Sequence, residues 1–102
     1  MATLHTVNKS PFDRPSLQSC LGHCLPGDSV LLIEDGVLGA RKGAASSAAL
    51  EAAMPNCKIY VLGPDAAARG LAQDALVSGI ETVDYGGFVD LAASHDRTQS
   101  WL

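Results

Sequence analysis

The chain has 102 residues, a formal net charge of −4, 47% apolar residues and 18% charged residues. That length suits one domain spanning 1–102, and an acidic balance with scattered Lys and Arg argues against binding to nucleic-acid phosphates. No apolar stretch approaches the ~20 residues that span a bilayer, and Met1 to His5 show no basic region followed by an apolar run, so the expected location is the cytoplasm.

The charged fraction lies below the usual ~25%, which fits a surface partly covered by partner subunits. Three cysteines in a chain without an export signal are expected as reduced thiols rather than a disulfide framework.

In chain order, residues 3–7 are β-prone and read as a first strand, broken by Ser10-Pro11. Pro15 fits the first turn of a helix over 15–24, and Pro26-Gly27 stop it. The aliphatic run 30–33 reads as a strand buried on both faces. Glu34-Asp35-Gly36 end that strand, and a short helical piece is expected near 37–41. The alanine-rich stretch 46–54 reads as helix, closed by Pro55-Asn56. A third strand covers 58–62.

Gly63-Pro64-Asp65 open a helix expected through 76, with Arg69 and Gln73 on its polar side. A short strand over 81–83, a helix over 88–94 after Tyr85-Gly86-Gly87, and a last short strand over 98–101 complete the chain. Strands alternating with helices predict an α/β fold, a parallel sheet sandwiched between helices.

The densest group of reactive residues is Cys20-Leu21-Gly22-His23-Cys24. On a helix Cys20 and Cys24 share a face with Leu17, Leu21 and Leu25, which is where a core stripe belongs. Zinc wants four ligands, or three plus water. One helical turn does not aim both cysteines and His23 at one ion, so no metal is expected. A Cys20–Cys24 disulfide would strain a regular helix. What remains is Cys20 as the candidate persulfide thiol, against Cys20 as core packing, since free cysteine is among the most buried residue types. Cys24 and Cys57 read as structural.

Other signals carry less. Glu34-Asp35 could be an acid pair, but Asp35 reads as a helix cap. No G-x-G-x-x-G, phosphate loop or G-x-S-x-G occurs, so no cofactor is expected. His5 reads as a hydrogen-bonded strand histidine, and His95 as a helix terminus. Trp101, the sole tryptophan, suits either the domain's own core or an interface anchor.

Several segments together resemble the DsrH/TusB family. They are Leu4-His5-Thr6-Val7-Asn8-Lys9-Ser10-Pro11-Phe12, Val30-Leu31-Leu32-Ile33-Glu34-Asp35-Gly36-Val37, and Tyr60-Val61-Leu62-Gly63-Pro64-Asp65 with Ala68-Arg69-Gly70. Val83-Asp84-Tyr85 with Gly87-Phe88-Val89-Asp90-Leu91, and Gln99-Ser100-Trp101, complete the set. The DsrH branch is the nearer likeness, because the TusB branch typically lacks a cysteine at the position of Cys20.

The resemblance implies a DsrEFH-like, three-layer α/β/α domain with a parallel sheet of about five strands. It also implies a cytoplasmic heterohexamer with DsrE/TusD-like and DsrF/TusC-like subunits, relaying persulfide sulfur to a DsrC/TusE-like carrier. The outcome would be dissimilatory sulfur oxidation or 2-thiolation of the tRNA wobble uridine. In both versions the main active cysteine of the sulfurtransferase complex belongs to the DsrE/TusD-type partner, and Cys20 is the matching thiol here. The alternatives are a non-catalytic docking subunit of the same complex, or a small-ligand α/β module using the Glu34-Asp35 rim.

Overall fold

Five strands form the sheet: β1 (Thr3–Val7), β2 (Ser29–Leu32), β3 (Lys58–Leu62), β4 (Glu81–Val83) and β5 (Arg97–Trp101). In the computed structural model, which describes residues 2–102, they run all parallel in the order β4-β3-β2-β1-β5. Central β2 is buried along its whole length, as a continuous aliphatic run requires when both faces are covered.

Four helices connect the strands: α1 (Ser16–His23), α2 (Ser47–Ala53), α3 (Gly63–Ala68) and α4 (Tyr85–Ser94). The chain steps from β1 to β4 in one direction, then returns past all of them to β5. Parallel crossovers are right-handed, so the first three put their helices on one face and the return puts α4 on the other. The three-layer α/β/α fold follows.

Strand alternation divides the core between the faces. Val7, Val30, Leu32, Ile59 and Val61 face α1, α2 and α3, where Leu17, Cys20, Leu50 and Ala66 meet them. Leu4, Leu31 and Tyr60 face α4 and meet Phe88 and Leu91.

Several boundaries differ from the sequence reading. The helix expected over 63–76 is only α3, six residues long, because Gly70 takes φ +71° and turns the chain out of it. Its amide and that of Leu71 close the end on Ala67 and Ala66 carbonyls. Gln73 therefore sits in a separate 3-10 turn, Gln73–Ala75. The piece expected near 37–41 is a longer 3-10 segment, Glu34–Ala40.

Helix α4 begins before its glycines rather than after them. Asp84 caps it, its carboxylate accepting the Gly87 amide at 2.7 Å. Asp35 is not a cap. Ile33 occupies that position, and Asp35 pairs with Arg69.

Candidate functional site

Helix α1 ends at His23 because Cys24 already has extended backbone and Pro26-Gly27 follow, with Gly27 at φ +92°. That early end decides where the thiols go. Leu17 and Cys20 point into the core, Leu21 is half-buried, and Cys24 stays close to Cys20. Leu25 is turned out of the predicted stripe and is 65% exposed.

All three cysteines are free thiols. Cys20 is 0% exposed, Cys57 is buried and Cys24 is half-buried. Cys57 precedes β3, and its Sγ donates to the Leu25 carbonyl at 3.5 Å. Cys24 and Cys57 share the floor of a surface groove of about 400 Å³ with Leu21 and Ala53. The Cys20 thiol beside it, together with burial, pushes the Cys24 thiol far above its ordinary value. Burial, with Cys24 next to it, pushes Cys57 up to about 11. With their thiols raised in this way, Cys24 and Cys57 stay protonated at neutral pH, which makes them poor nucleophiles.

The residue that completes the cluster is His5, from the middle of β1. One ligand atom each from His5, Cys20 and Cys24 lie within 4.8 Å of one another. His5 Nε2 is 2.9 Å from Asp28 Oδ2, and Trp101 donates its indole N–H to His5 Nδ1 at 3.0 Å. An indole nitrogen is only a donor. Nδ1 is therefore the accepting nitrogen, and Nε2 carries the proton given to Asp28.

Asp28 also accepts the amides of Thr3 at 3.0 Å and Leu25 at 3.1 Å. Burial alone would lift its carboxyl, but these amides and His5 outweigh burial and hold it below its ordinary value.

Of the two places open to a hydrogen-bonded strand histidine, core or edge, His5 takes the core. Its place beside the cysteines is invisible in the sequence. Val7 pairs with Trp101 across β1 and β5, so the last strand lays its indole beside His5. Nothing in the local pattern says that β5 returns to β1. His23 takes no part in the cluster. Its Nδ1 lies 2.7 Å from the Ser19 carbonyl, and its ring packs against Trp101 at a tilt of 42° with centroids 5.3 Å apart.

The rim at the carboxyl ends of the strands is occupied by its own contacts. Arg69 donates to Asp35 Oδ1 at 2.9 and 3.0 Å, and the Glu34 amide donates to Asp65 at 2.7 Å. Across the sheet, His95 ends α4 with Nε2 at 2.9 Å from Ser29 Oγ. Among the described residues, no helix is long and apolar enough to cross a membrane.

The family profile described as "DsrH like protein" matches residues 9–98. Proteins named Protein TusB are similar over almost the whole chain. The one from Erwinia tasmaniensis is 41% identical over 99 residues, covering 96% of this chain and 99% of that protein. The one from Pectobacterium parmentieri is 33% identical over 98 residues, with the same coverage. The chain belongs to the DsrH/TusB family of sulfur-relay complex subunits.

Solved structures bear on the DsrH/TusB fold alone. The Escherichia coli ychN protein superimposes with a TM-score of 0.82 at 17% identity, covering 99% of this chain and 100% of that one. Protein MTH1491 from Methanobacterium thermoautotrophicum gives 0.76 at 14% identity, covering 97% of each.

Proposed function

We propose that this chain is the docking subunit of a cytoplasmic sulfur-relay complex, and that the thiolate receiving persulfide sulfur lies on a DsrE/TusD-like partner. A DsrF/TusC-like subunit completes the assembly, and a DsrC/TusE-like carrier takes the sulfur away. In each transfer a thiolate attacks the outer sulfur of an incoming persulfide, and the donor thiolate leaves. The attacking thiolate needs access and a low pKa. The observation that carries the reading is the enclosure of Cys20, which is 0% exposed. Phe12, Tyr85 and Val89 are 60–66% exposed, and such apolar side chains suit a surface that partners cover.

A second reading makes Cys20 itself a persulfide carrier within the complex. It is favoured by the position of Cys20 one helical turn from half-buried Cys24, which reaches the groove. Intact-mass analysis of the chain co-purified with its partner subunits, after incubation with glutathione persulfide, separates the two. The docking reading expects the one-sulfur increment on the DsrE/TusD-like subunit and none on this chain. An increment on this chain that Cys20→Ser loses, and that Cys24→Ser and Cys57→Ser keep, overturns it. Neighbouring sulfite reductase genes would assign the complex to dissimilatory sulfur oxidation, and their absence to tRNA wobble uridine thiolation.

A further inference from the structure

Two sulfurs and one imidazole nitrogen within 4.8 Å are the donor set of a borderline-soft cation. The sequence alone places only Cys20, His23 and Cys24 together, on one helical turn. The fold replaces His23 with His5, which approaches from a different element and removes the objection that one turn cannot surround an ion. We propose that His5, Cys20 and Cys24 form a binding site for a divalent cation of the zinc class, with Asp28 orienting the imidazole.

Charge selects the dication. His5 is 5% exposed and Cys20 is 0% exposed, so net charge at this place is costly. Two thiolates and a neutral imidazole around a divalent ion sum to zero. A monovalent ion would leave a negative site beside the Asp28 carboxylate. Each thiol gives its proton to the solvent as its sulfur lone pair bonds the ion, and nothing is oxidised or reduced.

The outer contacts match those of metal-bound histidines, which commonly give their second N–H to a carboxylate. Asp28 holds that place on Nε2, and is itself fixed by the Thr3 and Leu25 amides. Ligation therefore falls to Nδ1, and the indole that now donates to it must withdraw. That withdrawal is the rearrangement the site requires of Trp101, a half-buried residue on edge strand β5. Tetrahedral donors with bonds of about 2.0–2.3 Å sit roughly 3.4–3.8 Å apart. Donors as far apart as 4.8 Å must close by about 1.0–1.4 Å, and Cys24, on the extended exit from α1, is the ligand outside regular helix or strand that moves. The groove floored by Cys24 gives the ion its way in.

This inference stands on the donor geometry and not on the sulfur-relay reading. It is tested on the reduced full chain by titration with Co²⁺ as an optical probe, then with Zn²⁺ against a chromophoric chelator. The expected result is one ion per chain, thiolate-to-cobalt charge-transfer absorption in the near ultraviolet, displacement of Co²⁺ by Zn²⁺, and a change in the fluorescence of Trp101.

Cys24→Ser and His5→Gln should each abolish the absorption, Cys57→Ser should keep it, and Asp28→Asn should weaken Zn²⁺ binding about 10–100-fold. The titration reads metal on the isolated chain, whereas the sulfur-relay test reads sulfur mass on the assembled complex, so the two proposals fail separately. Circular dichroism confirms that each variant is folded, and the unaltered chain decides if one is not. Absence of the charge-transfer absorption there overturns the site. So does Zn²⁺ binding of equal strength in Cys24→Ser and His5→Gln, which would mark adventitious surface binding.

Discussion

The face of the sheet under α1, α2 and α3 and the face under α4 are built differently. The first is a deep core, mostly of aliphatic side chains, that encloses the Cys20 thiol and touches that of Cys24. The second has two fully buried leucines, Leu4 and Leu31, beside a buried Tyr60, and α4 itself buries none of its own. Three consecutive crossovers cover the first face, and a single returning one covers the second. Stability and the thiol chemistry both live under α1, while the α4 side and edge strand β5 remain open for a neighbour. That contrast is the physical reason for reading this DsrH/TusB chain as a docking subunit with a sealed interior.

The sharpest way to break the contrast is to cut into each face. Leu50 is fully buried under α2, so Leu50→Ala should cost about 3–4 kcal/mol in urea denaturation. A loss below about 1 kcal/mol would mean that this face is not the stabilising one. Asp28→Asn comes next. It removes the charge that three donors share at the foot of the thiol cluster, and should cost about 2 kcal/mol by thermal unfolding.

On the other face Phe88 is only half-buried. Phe88→Ala should cost about 1–2 kcal/mol in the isolated chain. A loss as large as that of Leu50→Ala would erase the difference between the faces. The smallest effect belongs to the rim. Arg69→Ala breaks a partly exposed ion pair with Asp35 and should change stability by less than about 1 kcal/mol, a change that fades as salt is raised.

Much of the fold was legible because the strands carry strong patterns. The residues of β1, β3 and β4 read directly as strands, and alternation with helices implied the parallel sheet. The misreadings have local causes. Gly70 stopped α3 within an alanine-rich stretch whose helical propensity suggested continuation. Asp84 capped α4 ahead of Gly86-Gly87, which look like a loop on composition alone. Leu25 left its helical stripe because α1 ended two residues sooner than that stripe required.

The site was only half legible. Helical spacing brought Cys20 and Cys24 together correctly, since both lie near one end of α1. His5, Asp28 and Trp101 come from three other places in the chain and meet through sheet order. Strand order is set by long-range packing, and no local signal in β5 announces its partner. The sequence reading weighed His23, the nearest histidine along the chain, where the fold supplies His5.

The claim that Cys20 is sealed under α1 is tested most directly by timed alkylation of the native, reduced chain with site mapping by mass spectrometry. Cys24, half-buried at the groove, should react first, and Cys20 should be modified only as the chain unfolds in denaturant. Alkylation of Cys20 in the native chain as fast as in the denatured one would contradict the account.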